Sequence, residues 1–251
     1  MRSIKYFFVF LLDAVSDLLS HVRRYLLTYI AFLVMNFFSI IPWEGLGFGE
    51  KSLAEILTSI SIGLVSLVLV TNIILIEKSR IKVREKEKLI YAAPTYLIYT
   101  LYSTLIILVC LSFVMLFPAG RPGPMTGSIS EMLIMGAKFT VVALPAIVAA
   151  VCVAMVPLAS VLIDNDSANY FKVSFKMAKT APFLIFLFGA SSLLIEVPAV
   201  LVDFFIKDVS SKLALGLLYS FFDSFFIIIL TKASVLNFYH LKKVTIGEAV
   251  Y

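Results

Sequence analysis

Residues 53–88 read LAEILTSISIGLVSLVLVTNIILI followed by EKSRIKVREKEK. The first part, Leu53 to Ile76, is an apolar run long enough for an α-helix to cross about 30 Å of hydrocarbon, which takes ~20 residues. The second part carries basic residues at Lys78, Arg80, Lys82, Arg84, Lys86 and Lys88. Membrane β-strands are shorter and alternate in polarity, so a run of this kind reads as a helix, and the block of charge marks where it leaves the lipid. The stretch points to a membrane helix that ends in a basic connection.

The rest of the chain repeats this pattern. Of its 251 residues 61% are hydrophobic and 15% charged, against roughly 45–50% apolar and ~25% charged in soluble domains. Apolar spans are expected at about Tyr25–Trp43, Leu53–Ile76, Leu89–Phe117, Val141–Ile163, Pro182–Phe205 and Leu213–Phe238. Pro42-Trp43 with the glycine-rich Gly45 to Gly49, and Pro118 to Pro124, break the helices at two turns. Pro94 interrupts the third span, and Pro145 and Pro157 are candidate kinks in the fourth. A polar segment, Asp164 to Thr180, precedes the fifth.

Before the first span lies a stretch whose start, Arg2 and Lys5 ahead of Tyr6 to Leu12, superficially resembles a secretory signal. Its periodicity instead predicts an amphipathic helix over residues 1–24. Ile4, Phe7, Phe8, Leu11, Val15, Leu18, Leu19 and Val22 fall on one side, and Asp13, Ser16, Asp17, Ser20 and Arg24 on the other. The expected fold is therefore all-α, a polytopic helix bundle of about six transmembrane helices (25–238) with an N-terminal interfacial helix and a tail at 239–251.

Lys and Arg orient this arrangement. Placing Arg2, Lys5, Arg23, Arg24, the six residues of 78–88, Lys172, Lys176, Lys179, Lys242 and Lys243 on one side leaves Lys51, Arg121, Lys138, Lys207 and Lys212 on the other. Fifteen against five is the bias expected of a bacterial inner-membrane protein with both termini in the cytoplasm. Lys232 lies inside the last span and is expected to snorkel inward. The net charge of +5 is distributed through short loops, which argues against nucleic acid as a partner. Cys110 and Cys152 fall in apolar spans and define no disulfide framework.

Two connections resemble each other: Leu75 to Ser79 parallels Leu162 to Asp166, and Lys88 to Pro94 parallels Lys176 to Pro182. A parallel hairpin repeat over 53–117 and 141–205 would account for this, as would chance similarity between apolar-flanked loops. His21-Val22-Arg23-Arg24 before the first span, the polar connection containing Ala168 and Ser174, and the ending Thr231 to Lys243 carry a family likeness. In these features the chain resembles the membrane domain of bacterial glycerophosphodiester phosphodiesterases and related six-span inner-membrane proteins. The resemblance implies a fold; the soluble phosphodiesterase domain of some relatives has no counterpart in these residues, so that activity is not implied.

Ionisable groups within spans are costly, about 2.5–3.5 kcal/mol at a helix centre on insertion scales, and are functional suspects. Glu196 in the fifth span and Asp223 in the sixth fall at similar depth, where they could share a proton or a cation, or serve as protonated packing contacts. With no basic residue expected at that depth, the packing role is preferred. Asp13, Asp17 and His21 share a helical stripe, a pattern that suits metal ligands but suits a solvated face better. Ala146, Ala150 and Ala154 form a small-residue stripe suited to close helix packing, inside the bundle or against a partner. Lys82, Arg84, Lys86, Lys88, Lys172, Lys176 and Lys179 are candidates for binding anionic headgroups.

The Gly45-x-Gly47-x-Gly49 run follows a membrane helix and enters no βαβ unit, so it reads as a turn. The chain holds no familiar hydrolase or nucleotide-binding motif. The expectation is a non-enzymatic protein without cofactor or metal that works as a subunit or accessory of a larger envelope assembly, with lipids and other membrane proteins as partners. The alternative is a transporter or lipid-handling protein with a site between helices near Glu196 and Asp223.

Overall fold

A computed structural model describes residues 2–40, 48–81, 89–116, 144–163, 169–191 and 209–246, and among these every element is helical. In chain order the helices are α1 (Arg2–Ser20), α2 (Val22–Ile40), α3 (Phe48–Ile81), α4 (Leu89–Leu116), α5 (144–153), α6 (Val156–Leu162), α7 (Tyr170–Thr180), α8 (Pro182–Ser191) and α9 (Val209–Ile246). Among the described residues four stretches are long and apolar enough to cross a membrane: Ile56–Arg80, Leu89–Ser112, Leu144–Leu162 and Ala214–Thr245. The bent pair α7–α8 makes a fifth if it is taken as one span. The chain is a multi-pass α-helical membrane protein. The turns expected at 42–50 and 118–124 lie wholly or largely outside the described residues.

The fourth span is interrupted, and the chemistry of its interruption is specific. Pro157 has no N–H to give the Val153 carbonyl, so the helix stops at α5, turns through Ala154-Met155 and restarts as α6. The groups released are met by side chains from other helices. The buried Ser174 hydroxyl of α7 donates to the Cys152 carbonyl at 2.6 Å and accepts from the Met155 N–H at 3.2 Å. Ser103 of α4 approaches the Val153 carbonyl at 3.4 Å. The other end of α6 is closed by Lys78, whose ammonium donates to the Val161 carbonyl at 2.6 Å, as suits a cation at a helix C-terminus.

Asn169 caps α7, its side-chain oxygen accepting from the Lys172 N–H at 3.0 Å. Pro182 disfavours helical backbone at Ala181, and the chain bends by 103° between α7 and α8. The two copies of the proposed repeat therefore differ locally: Pro94 lies within a continuous α4, whereas Pro182 opens a helix steeply bent from the one before it.

α1 lies against the last turns of α9, running antiparallel to them. The His240 ring packs at a tilt against Tyr6 and Phe10, at 4.7 and 5.5 Å between centroids. The end of α9 also packs against α6 and α7, where Phe238, Tyr239 and Leu241 join Leu162, Met177 and Ala178 in one core cluster, and this explains a departure from expectation. The segment read as a tail continues α9 as far as Ile246, with Tyr239 and Leu241 buried. The polar face expected of α1 is also not simply solvated, because Asp17 turns inward beside the buried Ala14 and Leu18.

The Ser174 hydroxyl is expected to be the main support of the break. Ser174→Ala would strip partners from two buried backbone groups, lowering stability by about 1–2 kcal/mol. Thermal unfolding in detergent measures this, with Ser103→Ala expected to cost less because its contact is longer.

Candidate functional site

The polar interior of the bundle has two stations, both built on α9. The first centres on Lys232, whose side chain is fully buried. An ammonium has three N–H donors and no acceptor, and all three are committed here. They reach Asp17 Oδ2 on α1 at 2.5 Å, the Tyr25 hydroxyl on α2 at 2.8 Å and Glu77 Oε1 on α3 at 2.9 Å. The ammonium also lies 4.1 Å from the Tyr25 ring centroid. The Tyr25 hydroxyl in turn donates to Glu77 Oε1.

Arg80, half-exposed, completes the charge balance. Its Nη1 lies 2.5 Å from Asp17 Oδ2 and 3.7 Å from Glu77 Oε2. Two cations thus face two carboxylates, as a buried cluster requires if desolvation is not to dominate. His21 Nδ1 adds a contact to Asp17 Oδ1 at 3.0 Å. Burial raises the Asp17 carboxyl, but the Lys232 hydrogen bond and the charges of Lys232, Arg80 and His21 outweigh it and hold the group below its ordinary value.

The second station lies further along α9, nine residues before Lys232 and so about 13 Å away along the helix axis. Asp223 is buried, and Asn36 on α2 donates to its Oδ2 at 2.6 Å and to the Ser224 hydroxyl at 3.3 Å. Asp223 stands at the edge of a cavity of ≈ 390 Å³ lined from α3, α4, the α5–α6 break, α8 and α9. The walls are mostly apolar, among them Val70, Leu158, Ile185, Phe188 and Leu230. Tyr96, Thr231 and Ser234 supply the remaining polar groups. Gly189 also lines the cavity, and a Cβ built there would meet nothing within 4 Å.

These positions revise several expectations. Lys232 does not snorkel but is enclosed by three helices. Glu77 and Lys78, read as part of the basic connection after the second span, are buried within the end of α3 and face different partners. Asp17 pairs with His21, Arg80 and Lys232; among the described residues no group of three or more His, Cys, Asp or Glu is placed to hold a metal. The alanine stripe is not one continuous seam. Ala146 is buried and Ala150 half-buried on α5, whereas Ala154 sits in the turn and lines the cavity. Lys172, Lys176 and Lys179 are exposed on α7, the last lying 5.2 Å from the Phe175 ring centroid. Glu196, Lys82, Arg84, Lys86 and Lys88 lie outside the described residues.

The Lys232 cluster was absent from the sequence-based candidates, although a lysine deep in an apolar run was a signal of it. Asn36, a lone amide in the first span, was the corresponding signal for Asp223.

No protein-family model, curated protein or solved structure matches the chain. Its function is therefore argued from these two stations.

Removing Lys232 should be the most damaging single change at the first station. Lys232→Met leaves two inward carboxylates with fewer partners and is expected to destabilise by about 3–5 kcal/mol, with part recovered when Glu77→Gln is added. Thermal unfolding of the single and double variants measures the coupling. Because folding lowers the Asp17 carboxyl, its stabilisation is fully present above about pH 4 and is lost as pH falls through the folded value. An acid titration of unfolding should therefore show a weaker pH dependence in Asp17→Asn than in the wild type.

Proposed function

We propose that this chain takes an amphiphilic molecule from the bilayer into the cavity beside Asp223, acting in lipid handling or transport. The cavity carries the proposal. Its ≈ 390 Å³ falls in the range of small-molecule sites, and its apolar walls with a few polar groups match the composition such sites share. It also lies where a membrane helix is broken, a feature of transporter binding sites.

The topology that accompanies this proposal has six spans. It adds α2 and the helix opened by α8 to the four long apolar stretches. Both termini lie on the cytoplasmic side of a bacterial inner membrane, the orientation favoured by the fifteen-to-five division of Lys and Arg. α1 and α7 then lie in the inner interface, with Lys172, Lys176 and Lys179 directed to anionic headgroups. The connection from α3 to α4, with Lys82, Arg84, Lys86 and Lys88, falls on the same side.

A non-enzymatic accessory role in a larger envelope assembly is the second reading. The exposed apolar side chains of α4, such as Leu101, Leu105 and Leu108, would suit a neighbouring helix, though lipid covers such a face equally well. Purification in mild detergent separates the two, since stoichiometric partners would favour the accessory role.

The cavity reading is tested by photolabelling the chain in nanodiscs with a diazirine-bearing octanol and mapping the adducts by mass spectrometry. Labels are expected on Met155, Leu158, Phe188 and Ile227. Gly189→Leu, which places a side chain where the backbone leaves room, should reduce that labelling at least about fivefold, a loss of about 1 kcal/mol. Adducts confined to lipid-facing positions such as Leu105 and Leu108, unchanged by Gly189→Leu, would overturn it.

A further inference from the structure

We infer that the cavity takes an amphiphile with a hydroxyl head, and that Thr231, Ser234 and Tyr96 recognise it; this rests on the cavity being a binding site. All three residues line the cavity, and among the described residues none of their hydroxyls has a hydrogen-bond partner. The contrast within α9 is direct. Ser220 and Ser224 turn back on their own helix and donate to the carbonyls of Gly216 and Ser220, at 2.8 and 2.7 Å. Thr231 and Ser234 make no such bond, which leaves their hydroxyls to the cavity.

The three hydroxyls belong to one part of the wall. Thr231 and Ser234 are one turn apart on α9 and so are neighbours on its surface. Tyr96 of α4 packs against the core cluster that holds Leu158, Ile185 and Val235, the residue next to Ser234. Asp223 lies about 12 Å from Thr231 and about 16 Å from Ser234 along the helix axis. Recognition at the hydroxyls therefore does not turn on the charge of that carboxyl. Lys232 does not compete for the head either, because its three N–H groups are committed to Asp17, Tyr25 and Glu77.

The chemistry of these groups selects the head. A hydroxyl donates one hydrogen bond and accepts others, so a hydroxyl head and the hydroxyls around it satisfy each other in both roles. An ether oxygen accepts but cannot donate. A carboxylate accepts from several hydroxyls, but it brings a charge to a wall with no Lys, Arg or His among the described residues, and its lost hydration is not repaid. The tail in each case packs against Val70, Leu158, Phe188 and Leu230, so the preference resides in the head.

The experiment uses the full chain in nanodiscs with the same diazirine-bearing octanol as reporter. Octanol, octyl methyl ether and octanoate share one tail, and each competes at pH 7 after correction for its partition into protein-free nanodiscs. Octanol is expected to displace the cavity label at concentrations about fivefold below the ether and at least about tenfold below octanoate, equal to about 1 and 1.4 kcal/mol. Thr231→Val with Ser234→Ala and Tyr96→Phe removes the three hydroxyls and keeps most of the side-chain volume. In that variant octanol and the ether should compete within about twofold, while a diazirine-bearing octane still labels Met155 and Phe188 and so reports an intact cavity. Each substitution made singly should narrow the gap in part. Equal competition by octanol and the ether in the wild type would overturn the hydroxyl preference and leave the cavity reading standing. A gap that survives the triple variant, or is undiminished in all three single variants, would overturn the role of these residues. Cavity labelling absent from the wild type would remove both.

Discussion

Lys232 is the constraint around which the helices are arranged. A lone ammonium within an apolar helix is costly, and in this fold it is resolved by gathering an acceptor from each of α1, α2 and α3. That requirement does what apolar packing does poorly in lipid. Where the solvent is as apolar as the side chains, one helix register is not much better than the next. A charge that needs three partners at one depth singles out one register, because slipping α2 or α3 by a turn would leave Tyr25 or Glu77 out of reach. Arg80 extends the cluster toward the surface, so charge is balanced without every member being buried.

The other side of the bundle is organised by interruption. Pro157 removes a helical hydrogen bond, and Ala181-Pro182 turns the chain by 103°. The groups freed at the break are met from neighbouring helices, so the discontinuity belongs to the fold. Continuous helices of the same length would pack closely along their whole face. The cavity of ≈ 390 Å³ is bounded by Ala154, Met155 and Pro157 of the break and by Ile185, Phe188 and Gly189 of α8.

Four of the expected spans were legible in the sequence because a long apolar run announces itself by length, and Pro157 and Pro182 marked where helices begin or break, whereas Pro94 lies within a continuous α4. The polar stations were only partly legible. Asp223 stood out as an acid inside a span, but its partner Asn36 is 187 positions away, and no period along one helix reveals contact with another. Glu77 was misassigned because hydropathy falls at that residue while α3 continues to Ile81, so the composition of the helix end concealed its burial. Asp17 was misread for a related reason. A polar stripe on α1 looks solvated until a cation on α9, 215 positions later, is placed against it.

The two stations share more than a helix. α9 supplies a cation at one depth and a carboxyl at another, and α2 answers both, with Tyr25 at Lys232 and Asn36 at Asp223. Pinned at two points, α2 and α9 form a fixed edge that holds Asp223 at a set height beside the cavity. Part of the remaining wall is different in kind, because α5, α6 and α8 adjoin a break or a bend, and at the α5–α6 break the groups released are met by side-chain hydroxyls. Hydroxyl contacts of this type contribute less than a buried ion cluster does. The cavity is thus bounded on one side by α9, held at both stations, and on another by helices that adjoin a break or a bend.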